Sequence, residues 1–339
     1  MYAETPRYNY GPIWFYILYG LRGSLRTIGL DTIYYFHLTI AAILTLVDVA
    51  LALHLRNRFG FGPAIFFFLN PISILITGYH SQFDNLAVLL CLLACSTLEG
   101  SYRNASVTKI ILSLALIGLS ITTKHIFLFF SLWLWFAVPI QNRAAKALAL
   151  ASPCIIFILS FLPFAFEPAS IKGIIANVFK YQSLNGNGLP ALVLELWQGR
   201  PLSTSTSEGS IVKYLFVFTV ALSGILWSRA LQKKNRPDAS SHPVVILSQI
   251  YLLTLVGFSS AMANQYLAIP LYAFAILHRH SVSWLYTIAG SIVLLTSVDN
   301  ILVGKYQHLD LLGYLPSQLL CIIAIYFLVK VSRKNSPVP

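Results

Sequence analysis

The sequence predicts an all-α integral membrane protein, a polytopic bundle of about eleven transmembrane helices. Of its 339 residues, 57% are hydrophobic and only 10% are charged, whereas a soluble domain carries about 25% charged residues. The mean hydropathy is +0.73. The apolar residues fall in long runs, which is the pattern of membrane-spanning helices and not of the weak alternating segments of a membrane β-barrel.

Residues 1–339 are interpreted as one polytopic membrane domain without an internal repeat. Residues 1–30 mix arginines with aromatic side chains and are predicted to form an outer interfacial segment. Residues 166–210 are predicted to be a long outer loop with a short interfacial helix, and residues 330–339 a cytoplasmic tail. The predicted spans are Thr32–Leu53, Phe61–Thr77, Leu86–Leu98, Val107–Thr122, Ile126–Ile140, Ala147–Leu162, Ile211–Trp227, Pro243–Phe258, Tyr266–Leu277, Val282–Val298 and Leu311–Val329.

Basic residues concentrate in alternate loops, and the positive-inside rule assigns those loops to the cytoplasm. The C-terminus is then inside and Met1 outside. The net charge of +12 follows from this distribution, so a nucleic-acid partner is not expected. The expected location is the plasma (inner) membrane, or the endoplasmic reticulum membrane in a eukaryote. The basic loops contain Arg56 and Arg58; Arg103 and Lys109; Arg143 and Lys146; Arg229, Lys233, Lys234 and Arg236; Arg279; and Lys330, Arg333 and Lys334.

Residues 78–85, Gly-Tyr-His-Ser-Gln-Phe-Asp-Asn, are the densest polar cluster in the chain. Ionisable groups are expensive inside a bilayer and usually mark a site. His80 and Asp84 are four residues apart, so a helix that begins near them would carry both on one face and would point free N–H groups at a phosphate. The alternative is that Asp84 or Asn85 merely caps the helix.

Two further polar groups fall in predicted outer loops. Lys124 and His125 form a basic pair that would neutralise a phosphate leaving group, although the pair is also compatible with an ordinary tight loop. Asn264, Gln265 and Tyr266 offer amides and an aromatic face that suit a sugar, but a cap with an interfacial aromatic residue fits equally well.

Asp48 lies deep in the first span, and its depth predicts a structural role far from residues 78–85. A buried carboxylate normally has a partner, and Arg56 or Lys109 are the candidates. The four cysteines fall in apolar runs and are predicted to be buried free thiols. Nothing resembles a nucleotide, zinc or hydrolase motif, so neither a metal nor a cofactor is expected.

Several separated segments are similar to those of the GT-C glycosyltransferases, multi-spanning enzymes that use polyprenyl- or dolichyl-phosphate sugars. Tyr8–Trp14 resembles the aromatic-proline segment of the GPI mannosyltransferase catalytic subunit and its bacterial relatives. Asn70-Pro71 and residues 78–85 resemble the Asn-Pro and His-Phe-Gln-Tyr-Asn pattern of the dolichyl-phosphate-glucose-dependent glucosyltransferases. Lys124 matches a lysine that both groups carry.

The likeness continues toward the C-terminus, and the order of the motifs agrees over most of the chain. Residues 264–266 resemble the Ser-Gln-Tyr segment of the GPI enzyme, which also has an aspartate at the place of Asp48. The resemblance implies transfer of a hexose, mannose or glucose, with inversion, from a polyprenyl-phosphate donor to a glycan or glycolipid acceptor at the outer face. It implies catalytic roles for Asp84 and His80 and substrate contacts by Tyr10, Gln82, Asn85, Lys124, His125, Asn264, Gln265 and Tyr266.

The chain departs from the GT-C pattern at its start. GT-C enzymes begin with a transmembrane helix and an outer loop that carries an acidic residue, and this sequence begins after that point. A missing N-terminal segment is expected, or Glu4 substitutes as the base. Two alternatives stay open: a transporter or flippase of lipid-linked sugars, which should show broken spans that the sequence does not indicate, and a non-catalytic subunit of a glycosylation complex.

Overall fold

The computed structural model describes residues 2, 8–104, 106–179, 189–190, 193, 196, 207–232, 242–259, 262–297 and 309–334, and every regular element in these ranges is helical. The chain divides into two compact units. The first comprises Met1–Ile43 and Leu86–Gln182, and the second comprises Leu44–Asn85 and Ser183–Pro339. The divisions fall within one long helix and at the start of another.

The helices in chain order are α1 Pro12–Thr27, α2 Ile33–Phe59, α3 Phe61–Phe68, α4 Pro71–Tyr79, α5 Asp84–Asn104, α6 Val107–Thr123, α7 His125–Phe136, α8 Arg143–Leu159, α9 Pro168–Ile174, α10 Ser207–Gln232, α11 Pro243–Gly257, α12 Leu271–Ile276, α13 Ser281–Ser297 and α14 Leu309–Lys334. Most of α4 is a π-helix, Ile74–Tyr79. A second π-helix, Ile175–Phe179, extends α9.

Among the residues that the structure describes, three helical stretches are long and apolar enough to cross a membrane: Ile33–Phe59, Arg143–Phe164 and Tyr314–Val331. Other apolar helices, such as α6 and α13, are between 10 and 17 residues long. The all-α class and the presence of several membrane-compatible helices are thereby confirmed. The number of eleven spans stays a prediction.

The sequence is wrong about a continuous span over Phe61–Thr77. α3 and α4 meet at a break and are bent by 41°. Pro71 lacks an N–H group and disfavours helical geometry in the residue before it. Asn70 accordingly has extended φ and ψ of −68° and 124°, and its side-chain oxygen accepts the N–H of Ile72 at 3.0 Å, which starts the second helix.

Two other predicted spans are not single helices. The stretch named α7 changes geometry along its length, from a 3₁₀ turn through one α-helical turn to a second 3₁₀ turn. Phe127, Phe130 and Trp133 in this stretch are fully buried. Tyr266–Leu277 is divided into the 3₁₀ helix Asn264–Leu267 and α12. Pro270, just before α12, lacks the N–H that a continuous helix needs.

The segment 166–210, predicted to be a long outer loop, begins with helix α9, and its assignment to the outer side stays a prediction. Pro168 stands at the first turn of α9, where a missing N–H costs nothing. Most of the predicted interfacial helix, residues 189–197, lies outside the described residues. The predicted interfacial segment, residues 1–30, contains helix α1, Pro12–Thr27.

Each unit has its own tightly packed helices. In the first, α6 and α8 approach so closely that a Cβ on Gly118 would lie 2.8 Å from Ile156 Cδ1. In the second, α11 is buried on nearly all sides, which is the position of a helix that is hydrophobic all round. Cys91, Cys95 and Cys321 are buried free thiols as predicted, and Cys154 is half-buried.

Candidate functional site

A buried polar network surrounds Asp48 in the second unit. Ser73 donates its hydroxyl to Asp48 Oδ2 at 2.9 Å, and Asn85 donates its amide to Asp48 Oδ1 at 2.6 Å. Asn85 Nδ2 also lies 3.1 Å from Thr77 Oγ1. Asp48, Ser73, Thr77 and Asn85 are all buried, so this carboxylate is solvated by neutral donors of the protein.

The network corrects two predictions about Asp48. Its partners are Ser73 and Asn85 rather than Arg56 or Lys109, and it is in contact with residues 78–85 rather than far from them. The helix break before Pro71 is the reason. It starts a new helix in which Ser73 and Thr77, four residues apart, share a face, and that face meets α2.

Asp84 is the first residue of α5 and is 1% exposed. A carboxylate at the first turn of a helix is favoured by the helix dipole. The neighbouring Asn85 is fixed by its hydrogen bonds to Asp48 and Thr77. The amide nitrogen predicted to position a sugar is therefore committed to the network, and the network holds the start of α5 in place.

His80 follows the π-helix, at the turn that leads into α5. Its backbone N–H bonds to the carbonyl of Leu75 at 3.0 Å, and the N–H of Gln82 bonds to Ile76 at 3.1 Å. Ser81 between them has a φ of 54°, in the left-handed region. The Nε2 atom of His80 is buried and has no hydrogen-bond partner among the described residues. Such an atom is suited to a ligand.

In the first unit, Lys124 ends α6 and is 3% exposed. Its Nζ atom lies 5.2 Å from the centroid of the Tyr10 ring, within the range of a cation–π interaction. The chain before α1 is pressed against α6, because a Cβ on Gly11 would lie 1.8 Å from the Thr122 carbonyl oxygen. Only glycine permits this approach, which brings Tyr10 to Lys124.

His125 follows Lys124 and lies outside the predicted spans on either side. Its Nδ1 atom is buried without a hydrogen-bond partner in the described part of the chain. Burial, and secondarily the charge of Lys124, lower the pKa of His125 from 6.5 to about 4. The imidazole of His125 is therefore neutral at neutral pH, and together with the lysine side chain it forms a donor set that suits an anion.

Asn264, Gln265 and Tyr266 form a half-buried 3₁₀ turn in the second unit. Tyr314 in α14 donates its hydroxyl to Asn264 Oδ1 in a short hydrogen bond. The amide oxygen of Asn264 thus anchors the turn to α14. The sequence predicted this group of polar residues but not the hydrogen bond between Asn264 and Tyr314.

The structure brings together Tyr10, Lys124 and His125 in the first unit and Asp48 with Asn85 in the second. Glu4 lies outside the described residues. Sequence reasoning missed Ser73, Thr77 and Tyr314. The spacing of Ser73 and Thr77 behind Pro71 was an available signal, whereas Tyr314 is 50 residues from its partner and carries none.

No group of three His, Cys, Asp or Glu side chains that could hold a metal ion occurs within the described ranges. Comparison of the chain with protein-family models, with curated proteins and with solved structures gave no match.

Proposed function

We propose that this protein is a membrane glycosyltransferase that moves a hexose, mannose or glucose, from a polyprenyl-phosphate carrier to a glycan or glycolipid acceptor with inversion. The observation that carries the proposal is the burial of ionisable groups at the ends of apolar helices, with Asp84 1% and Lys124 3% exposed. In a membrane protein such groups are costly and mark functional sites. The distribution of basic residues assigns the reaction to the outer face.

A GT-C-like arrangement of about eleven membrane crossings belongs to the proposal. The three long apolar stretches and the shorter apolar helices support it. A helix shorter than a full span is accommodated by local thinning of the bilayer.

The second unit supplies the acid–base chemistry. An acceptor hydroxyl oxygen attacks the anomeric carbon, the bond from that carbon to the carrier phosphate breaks, and the electron pair leaves with the phosphate. Asp84 takes the hydroxyl proton, and Glu4 is the alternative carboxylate. His80 donates from its ring to the phosphate, and Gln82 positions the sugar. Asn264, Gln265 and Tyr266 contact the acceptor or the sugar.

The first unit contains an anion-binding group of its own. Lys124 contributes the charge, Tyr10 faces its Nζ atom, and His125 contributes a neutral ring N–H. These groups suit a phosphate, since fixed cations and dipoles stabilise an anion without reorganisation.

The test is the Asp84→Asn variant in membranes that contain the protein. General-base catalysis contributes roughly 10²–10⁴ in rate, so transfer from a labelled polyprenyl-phosphate hexose should fall about a hundredfold or more while the protein still inserts. Asp31→Asn is the matched control, because Asp31 is an exposed carboxylate that pairs with Arg22 at 3.4 Å. Near-wild-type transfer by Asp84→Asn would remove Asp84 from the reaction.

One observation favours a second candidate, a transporter or flippase of lipid-linked sugars. The α3–α4 pair is bent by 41° at a break, as in a broken span or a re-entrant loop, and a buried carboxylate network lies directly behind the break. Transporters build sites at broken helices. Movement of a labelled lipid-linked sugar across the bilayer of proteoliposomes, without transfer to an acceptor, would favour the transporter or flippase over the glycosyltransferase.

A further inference from the structure

An open apolar groove lies on the first unit between α6 and α8. Its volume is about 510 Å³, within the range of roughly 300–1,000 Å³ that ligand pockets span. Its walls are aliphatic, and Val107 and Leu148 are 67% and 68% exposed. The groove is also lined by Ile111, Leu114, Ala149 and Ile156.

The two helices that border the groove begin at the same end of it. Val107 and Ala145, in the first turns of α6 and α8, both line the groove, and Gly118 and Ile156, later in each helix, are in tight contact. The helices therefore run parallel, and the end at their first turns is called the N-terminal end of the groove.

The groove has the length of one bilayer leaflet. From Ala145 to Ile156 along α8 the rise is about 17 Å at 1.5 Å per residue. The hydrocarbon core is about 30 Å thick, so a chain lying in the groove would reach about the bilayer midplane. An acyl chain of a phospholipid is an apolar ligand of this length.

The N-terminal end of the groove carries a surplus of positive charge. Arg143 is the exposed first residue of α8, and Lys146 Nζ lies 6.0 Å from the centroid of the Trp135 ring. Lys109 Nζ donates to the Gly100 carbonyl at 3.5 Å. Among the described side chains of α5 next to Gly100, Glu99 is the one acidic residue. Three basic residues, Arg143, Lys146 and Lys109, therefore outnumber one carboxylate at this end.

We propose that this groove binds an anionic phospholipid, with an acyl chain between α6 and α8 and the phosphate at Arg143 and Lys146. The same end is predicted to face the cytoplasm, where anionic lipids are enriched and each basic residue near the surface strengthens binding. The site is separate from the proposed glycosyl transfer and does not depend on it.

The experiment measures lipids retained by the full chain in detergent, by native mass spectrometry. Phosphatidylglycerol and phosphatidylcholine with identical acyl chains are added in equal amounts. Phosphatidylglycerol should bind roughly thirtyfold more tightly, the effect expected of two basic residues. The double variant Arg143→Gln, Lys146→Gln should lower it to the level of phosphatidylcholine. Lys172→Gln, an exposed lysine of the same unit on α9, is the matched control and should change nothing.

A second variant tests the groove itself. Ala149→Phe fills it and should weaken retention of both lipids, with folding checked by an unchanged elution volume. Equal retention of the two lipids by the wild type would overturn the proposal, as would an unchanged preference in the double variant. Displacement of the bound lipid by inorganic phosphate alone, or tighter binding of a polyprenyl phosphate than of phosphatidylglycerol, would also overturn it, because each points to a different ligand.

Discussion

At the scale of single residues, Asp48 is a buried carboxylate held by neutral donors. Its burial followed from its place in an apolar run. Its partners did not, because hydropathy gives depth along a helix and not the position of a break in a neighbouring one. The break at Pro71 carries Ser73 to Asp48, and the start of α5 brings Asn85 there. A buried carboxylate prefers the nearest donors that need no desolvation of a second charge.

The Asp48–Asn85 contact should be measurable as a coupling energy. Asp48→Asn and Asn85→Ala each lower the free energy of unfolding in mixed micelles, and the double variant loses less than the sum, by about 0.5–2 kcal/mol. The control pairs Asp48→Asn with Thr296→Ala, because the hydroxyl of the half-buried Thr296 donates to carbonyls of its own helix, those of Ile292 and Val293. Additive effects in the Asp48–Asn85 cycle would contradict the observed hydrogen bond.

At the scale of elements, the contact between the start of the chain and α6 depends on one glycine. Gly11 leaves no room for a side chain beside the Thr122 backbone. The aromatic-proline pattern at Tyr8–Trp14 indicated an interfacial segment. It did not indicate what the segment packs on, because that contact joins residues more than a hundred positions apart.

Gly11→Ala should displace this segment from α6 and separate Tyr10 from Lys124. Overpacking against backbone costs typically 1–3 kcal/mol, so we expect a loss of about 2 kcal/mol in unfolding free energy and a marked loss of transfer activity. Gly20→Ala in α1 is the control. Nothing lies within 4 Å of its added Cβ, and alanine is favoured over glycine in a helix by up to about 1 kcal/mol. If Gly11→Ala and Gly20→Ala have the same unfolding free energy, the close packing of Gly11 against Thr122 is contradicted.

At the scale of the whole molecule, the sequence predicted the all-α class and several helix boundaries closely. α6 and α13 end within one residue of the predicted spans. It failed where apolar composition continues but the helix does not, at Pro71, at Pro270 and among the aromatic residues of α7. Hydropathy sums side chains and is blind to a missing backbone N–H. The division into two compact units was not indicated by the sequence, because long apolar runs continue through both of them.

The most direct test of glycosyl transfer follows the sugar itself. Proteoliposomes containing the natural protein receive a polyprenyl-phosphate hexose labelled in the sugar, together with membrane glycolipids as acceptors, and the products are separated and their anomeric configuration is determined. We expect the label to leave the carrier as free polyprenyl phosphate forms and to appear in a glycan or glycolipid with inverted configuration. Label that stays on the carrier, whether or not it crosses the bilayer, would contradict the assignment of this protein as a glycosyltransferase.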